Sequence, residues 1–331
     1  MRGATVNKPA LSISNLVVEF KSHGTWHPAL RGVDLSIAEN ETLAVVGESG
    51  SGKSVMSLSI MGLIPPGTGR IASDASIVLD GDELVGLDSR RIDRVRGNRV
   101  SMIFQEPMTS LNPTMTVGKQ VGETLRVHRK MHAAAARAET LRLFDAVKIP
   151  SAAVRINDYP HQFSGGMRQR VMIAMALACR PKVLLADEPT TALDVTIQAQ
   201  VLSLMDDLKR EYGLSIMFIT HNLGVVALIA DRVAVMYAGE IVEVAPAKTL
   251  FSNPRHPYTR ALLDAMPRVD RDAGVLEPIA GSVPSIKEAK VGCSYAARCR
   301  LAQPVCYTER PQMTAVDSTR TVRCWLEGAV A

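Results

Sequence analysis

The chain has 331 residues, 47% of them hydrophobic and 21% charged, with a formal net charge of +5. That length suits one large domain plus a smaller one, and the composition is that of an ordinary soluble globular protein. No apolar run approaches the roughly 18 residues that span a bilayer, and Met1 to Ala10 carries no apolar signal core, so a cytoplasmic location without a transmembrane segment is expected.

Leu11 to Phe20 alternates apolar and polar residues, as does Val33 to Ile37. Two antiparallel strands around a polar loop are predicted. Leu43-Ala44-Val45-Val46 then reads as a buried parallel strand, and Val55 to Leu63 as the first turns of a helix. Between them stands Gly47-Glu48-Ser49-Gly50-Ser51-Gly52-Lys53-Ser54, which fills every fixed position of a P-loop. Its glycines let backbone N–H groups turn toward phosphate oxygens, and the helix N-terminus adds its partial positive charge. Lys53 is expected on the β- and γ-phosphates, and Ser54 as a hydroxyl ligand of Mg²⁺. For a nucleotide at this loop, Phe20 at its strand end or Trp26 in the loop is the candidate to stack on adenine.

Downstream, Ser76 to Asp80 reads as a strand. Arg90 to Arg99 holds five arginines in ten residues with no interleaved aromatic, so it reads as a solvated face, and no nucleic-acid partner is expected. Val100 to Phe104 is a buried strand that ends at Gln105, before the turn-rich Glu106-Pro107 and Asn112-Pro113. Val117 to about Val147 has a helical pattern and reads as an insertion in the sheet. Phe163 to Arg170 opens a helix that runs to about Cys179 and is broken by Pro181.

Val183-Leu184-Leu185-Ala186 delivers Asp187 and Glu188 at the end of a strand, as in a Walker-B segment whose aspartate holds Mg²⁺. Asp194 to Arg210 is a predicted helix, and Ile216 to Thr220 a strand that delivers His221. Asp231 to Met236 and Glu240 to Val244 complete the strands. Gly47, Gln105, Asp187, Glu188 and His221 would thus stand at the carboxyl ends of four strands, where open α/β sheets bind ligands. Glu188 is the expected general base for an attacking water, His221 a contact to the γ-phosphate, and Gln105 a bridge to Mg²⁺ or that water. Ser164-Gly165-Gly166 at a helix start offers a second anion-binding surface.

From about Pro246 the character changes: His256-Pro257-Tyr258-Thr259 opens a short helix, Asp270 to Lys290 is rich in charge, Gly and Pro, and Cys293, Cys299, Cys306 and Cys324 crowd the tail. A reducing compartment argues for a metal site over disulfides. The spacing lacks the C-x₂-C knuckle of most zinc sites, and four thiolates suit either Zn²⁺ or a [4Fe–4S] cluster. Cys179 reads as an inert core residue.

Gly47 to Ser54, Gln105, Ser164-Gly165-Gly166, the Asp187-Glu188 strand, Thr191-Ala192-Leu193-Asp194 and His221 occur in this order. The set resembles the Walker A, Q-loop, signature, Walker B, D-loop and H-loop of an ATP-binding cassette (ABC) ATPase. The resemblance implies an α/β P-loop fold with an antiparallel β subdomain and a helical subdomain. The cassette would span residues 10–245, with its helical insertion at about 106–180, and a small cysteine-bearing domain would span 246–331. It also implies a head-to-tail sandwich of two cassettes, in which Ser164, Gly165 and Gly166 complete the partner's ATP site, Asp194 of the D-loop is a further nucleotide-binding residue, and the Q-loop meets membrane subunits. The usual Leu-Ser-Gly-Gly-Gln stands here as Phe163-Ser164-Gly165-Gly166-Met167.

Phe163 to Arg170, Thr220 to Val226, His256 to Thr259 and the four-cysteine tail further resemble the oligopeptide/dipeptide importer ATPases, which include nickel uptake systems. Asn222 stands where an aspartate is common. The implied partners are two membrane permeases, a second and often paralogous ATPase, and an extracytoplasmic binding protein, with the chain on the cytoplasmic face of the membrane. The tail of that family is associated with a [4Fe–4S] cluster. The expected function is ATP hydrolysis that powers peptide uptake. Importers of another solute such as nickel, and non-transport cassette proteins, are the alternatives; a single cassette without sustained heptads disfavours the latter. A nucleotide sensor without hydrolysis conflicts with Glu188 and His221.

Overall fold

The computed structural model describes residues 9–105, 110–191, 193–266, 279–288 and 291–328. Expectations that concern Glu106-Pro107, Ala192 and most of 270–290 lie outside the described residues. In chain order the strands are β1 (Leu11–Ser22), β2 (Thr25–Ile37), β3 (Thr42–Val46), β4 (Gly69–Ile71), β5 (Ser76–Leu79), β6 (Asp82–Glu83), β7 (Val100–Ile103), β8 (Val183–Asp187), β9 (Ser215–Thr220), β10 (Arg232–Tyr237), β11 (Glu240–Pro246), β12 (Thr314–Ala315) and β13 (Thr321–Val322). The helices that matter below are α1 (Lys53–Ile60), α2 (Ser89–Val95), α3 (Val117–Arg129), α4 (Ala133–Ala146), α5 (Gly165–Leu177), α6 (Val195–Tyr212), α7 (Leu223–Ile229), α8 (Ala247–Ser252), α9 (Pro257–Asp264) and α10 (Pro304–Thr308). Among the described residues no helix is long and apolar enough to cross a membrane.

The chain divides into two compact units: Met1–Leu11, Ser36–Glu41 and Val78–Phe218 in the first, and Ser12–Leu35, Thr42–Ile77 and Ile219–Ala331 in the second. In the first, β7 and β8 run parallel, with Val100 opposite Val183 and Ile103 opposite Ala186. The continuous apolar run of β8 reflects complete burial of all five residues. Helices α3, α4 and α5 pack on one another, and their residues Val121, Leu125, Leu143, Phe144 and Val171 are buried.

The helical pattern expected from Val117 to about Val147 is realised as two helices. Lys130 closes α3 in a left-handed conformation (φ 55°), and His132 caps α4 by accepting the Ala135 N–H at 3.1 Å. No glycine or proline marks this break, so only the cap chemistry reveals it. The Arg90 to Arg99 patch lies over α2 and the approach to β7, where Arg96 pairs with Asp93 at 3.1 Å and Arg99 with Asp82 at 2.5 Å.

In the second unit β3 and β10 are parallel, β10 and β11 form an antiparallel hairpin, and β13 and then β12 extend that sheet from β11. Strands β1, β2 and β4 form an antiparallel set, with Phe20 opposite Gly69. The predicted loop between the first two strands is only His23-Gly24, both at positive φ (48° and 83°), the geometry of a tight hairpin turn. Trp26 therefore lies within β2 and not in a loop. One apolar cluster joins Val46 of β3 and Val235 and Tyr237 of β10 to Leu250 of α8, Tyr258 and Leu263 of α9, and Tyr295. Cys293 and Cys299 pack against that same cluster.

Candidate functional site

In the second unit the P-loop follows β3, whose five residues are all buried. A Cβ at Gly47 would lie 2.1 Å from the Met236 carbonyl oxygen of β10, so only glycine lets the loop leave the sheet here. Gly52, at φ 108°, turns the chain into α1. Lys53 is buried, and its ammonium folds back on the loop, donating to the carbonyls of Gly47 (2.8 Å) and Glu48 (2.9 Å) and to Ser51 Oγ (3.4 Å). Ser49, Gly50 and Ser54 are exposed around it.

Glu48 is held at both ends. Its N–H donates to Tyr258 Oη at 2.9 Å, and its carboxylate receives the Arg298 fork at 2.6 and 3.0 Å. His221, one residue beyond β9, is exposed. Phe20 is half-buried, its ring 3.0 Å from where a Cβ of Gly69 would sit. The Trp26 ring carries the Arg70 guanidinium 4.2 Å from its centroid.

In the first unit Asp187 ends β8 and is only 5% exposed. Glu188 follows with φ 46°, a left-handed conformation that a non-glycine residue adopts at a cost. Its Oε2 accepts from Gln105 Nε2 at 3.1 Å and from Thr191 Oγ1 at 3.0 Å. Two of the predicted residues thus meet directly, and Thr191, named in the sequence only as the start of the D-loop segment, joins them as an orienting donor. Its signal was its place three residues after the glutamate.

Ser164 caps α5, accepting the Met167 N–H at 3.4 Å, so that exposed Gly165 and half-buried Gly166 form the first turn. A Cβ at Gly166 would stand 2.6 Å from Ile197 Cγ2 of α6, whose own cap, Asp194, accepts the Ile197 N–H at 2.9 Å. The signature segment and Asp194 therefore meet at one helix–helix seam.

The four tail cysteines belong to the second unit, and Cys179 to the first. None is in a disulfide. Cys306 is buried and caps α10, accepting the Gln303 N–H at 3.4 Å, while its carbonyl takes the Cys293 N–H at 2.8 Å. Burial pushes the Cys293 thiol up to about 11, and the nearby Cys306 and Cys324 add to the rise. Burial also raises Cys299. Among the described residues no three His, Cys, Asp or Glu side chains form a group able to hold a metal ion. The four thiols share a neighbourhood, but as they stand they are not a ligand set. Cys179, read as a core residue, is half-buried, with its thiol raised chiefly by burial.

The family model for ABC transporters matches residues 30–191, and that for the oligopeptide/dipeptide transporter C-terminal region matches residues 242–306. The dipeptide transport ATP-binding protein DppD of Bacillus subtilis is 50% identical over 317 residues, which is 96% of this chain and 94% of that protein. The oligopeptide transport ATP-binding protein OppD of the same organism is also 50% identical, over 96% of this chain and 88% of its own. Among solved structures, the dimeric post-hydrolysis state of the ATP-binding cassette MJ0796 bound to ADP and Pi superposes with a TM-score of 0.64 at 28% identity, covering 72% of this chain and 98% of that one. The cassette fold expected from the motifs is the fold found. The chain belongs to the ABC transporter family, as an ATP-hydrolysing subunit of its oligopeptide/dipeptide branch.

Proposed function

We propose that this ATPase powers import of di- or oligopeptides from the cytoplasmic face of the membrane. Its partners are two permeases, a second cassette and an extracytoplasmic binding protein. The Gln105–Glu188 hydrogen bond carries the reading, because it ties the carboxylate that would polarise water to the segment that would meet the permeases. The peptide as solute is supported by the names of the relatives, and a cassette boundary near residue 245 by the C-terminal region match that begins at 242.

In this reading the P-loop amides and Lys53 bind the β- and γ-phosphates, and the ammonium exchanges its loop carbonyls for phosphate oxygens. Phe20, or Trp26 in its place, stacks on the adenine. Ser54, Asp187 and Gln105 are hard oxygen donors that suit Mg²⁺, which when bound neutralises charge on the phosphates. Glu188 takes a proton from the attacking water as its oxygen bonds to the γ-phosphorus and the bond to ADP breaks. His221 steadies the γ-phosphate, and Ser164, Gly165, Gly166 and Asp194 close on the ATP of the second cassette. A [4Fe–4S] cluster on the tail cysteines, with Zn²⁺ the alternative, would require the four thiols to draw together from their present positions; it would staple the tail and supply no step of hydrolysis. Iron, acid-labile sulfide and zinc content of anaerobically purified protein decide between them, and absence of all three removes the metal.

The function is tested with tagged Glu188→Gln chain extracted from its membranes in mild detergent with ATP. ATP turnover is expected to fall about 10²- to 10⁴-fold, with two polytopic permeases and a second cassette co-purifying. Unchanged turnover rejects Glu188 as the base, and ribosomal or DNA-repair partners in place of permeases reject the import reading.

A further inference from the structure

The P-loop of this chain is gripped from a place far along the sequence. Glu48, its second residue, is fixed at three points: its N–H by Tyr258, its carbonyl by Lys53 and its carboxylate by Arg298. Arg298 lies between Cys293 and Cys299 of the tail, and its side chain is 8% exposed. Its remaining donors are saturated by the Ala280 carbonyl at 2.8 Å, the Ile279 carbonyl at 3.2 Å and Tyr237 Oη at 3.3 Å. Tyr237 and Tyr295 flank the guanidinium, their ring centroids 5.7 and 6.0 Å away. A bidentate, hydrogen-bonded and part-buried pair of this kind is pre-organised, unlike a surface salt bridge.

The pair has an electrostatic consequence. A triphosphate that binds this loop brings several negative charges to the segment that carries the Glu48 carboxylate. With Arg298 on that carboxylate the loop presents no net opposing charge; without it, one part-buried anion stands uncompensated in the phosphate-binding loop.

We propose that Arg298 is a positioning residue for nucleotide binding: by neutralising and fixing Glu48, the C-terminal segment sets the affinity of the P-loop for ATP. The proposal rests on the P-loop reading above. Tyr258 belongs to the same device, since it occupies the Glu48 N–H and so fixes where the loop begins to turn.

The test is the Kd of adenylyl imidodiphosphate with Mg²⁺, by titration calorimetry on the full chain, with a thermal melt for each variant. Wild type that does not bind rejects the P-loop reading itself; wild type that binds lets the variants judge Arg298. Arg298→Met is expected to raise Kd about tenfold, the effect of one uncompensated charge at roughly 10 Å in a medium of effective dielectric about 20. The rise should shrink as salt is added. Glu48→Gln is expected to lower Kd, and the double variant to return within about threefold of wild type, even where its melting temperature is no better than that of Arg298→Met. A Kd for Arg298→Met within twofold of wild type overturns the proposal, as does a double variant that binds as weakly as the single one. If Arg298→Met does not fold, Glu48→Gln carries the test alone, and a rise in Kd overturns the proposal.

Discussion

Two side chains show how burial and hydrogen bonding assign roles that residue type leaves open. Glu188 sits in a left-handed conformation, with one carboxylate oxygen held by Gln105 and Thr191. Strain of this kind persists only where the surroundings over-determine it, here the buried β8 on one side and the Thr190–Gln198 hydrogen bond (3.1 Å) on the other. His256 is the opposite case. Its ring accepts the Tyr258 N–H at 3.0 Å to cap α9, and burial depresses its pKa from 6.5 to about 3. It is a structural histidine, neutral when folded.

A depressed histidine contributes stability that is fully present above the unfolded value near 6.5 and lost as pH falls toward 3. At pH 5 the loss is about 2 kcal/mol. Urea midpoints at pH 7.5 and pH 5 should therefore differ more for wild type than for His256→Asn, which keeps a capping acceptor and has nothing to protonate. Equal differences would show that other groups govern the acid response.

At the scale of elements, helix and strand types followed from pattern, and their ends from local chemistry. Strands β3 and β8 announced themselves as short apolar runs before glycine or carboxylate, and both are fully buried. The α3–α4 break and the β1–β2 turn were illegible because they depend on a left-handed Lys130 and His23, conformations that neither residue type advertises. The α5–α6 seam depends on closeness that only a glycine allows. Gly166→Ala brings a methyl group within 2.6 Å of Ile197 Cγ2. The expected cost is about 1–3 kcal/mol, read as a lower denaturant midpoint with an unchanged slope. An unaltered midpoint would mean that Ile197 yields freely.

At the scale of the molecule, the second unit draws its core from three stretches of chain. The tail is part of that core: β13 pairs with β11, and Arg320 and Glu243 form a buried pair at 3.2 Å. Glu243 also accepts the N–H groups of Arg255 (3.0 Å) and His256 (2.9 Å), so that a buried carboxylate is satisfied from several sides. The aromatic cluster of Tyr237, Tyr258 and Tyr295, with ring centroids 4.6 to 5.2 Å apart, fills the space between β10 and the tail.

The sequence by itself determined the family, the cassette fold and the residues at the strand ends, because each of these signals spans a few neighbouring positions. A P-loop needs glycines, lysine and serine at fixed offsets, and a Walker-B strand needs apolar residues before its carboxylates. Tertiary structure alone decided that Gln105 meets Glu188 across 83 residues and that Arg298 meets Glu48 across 250. Such contacts carry no local pattern: strand-end position marked Gln105 and Glu188 singly but not the bond between them, and Arg298 alone reads as a surface charge. They become a paired site only when the chain has paid the entropy of closing those long loops by burying the strands and aromatic rings around them.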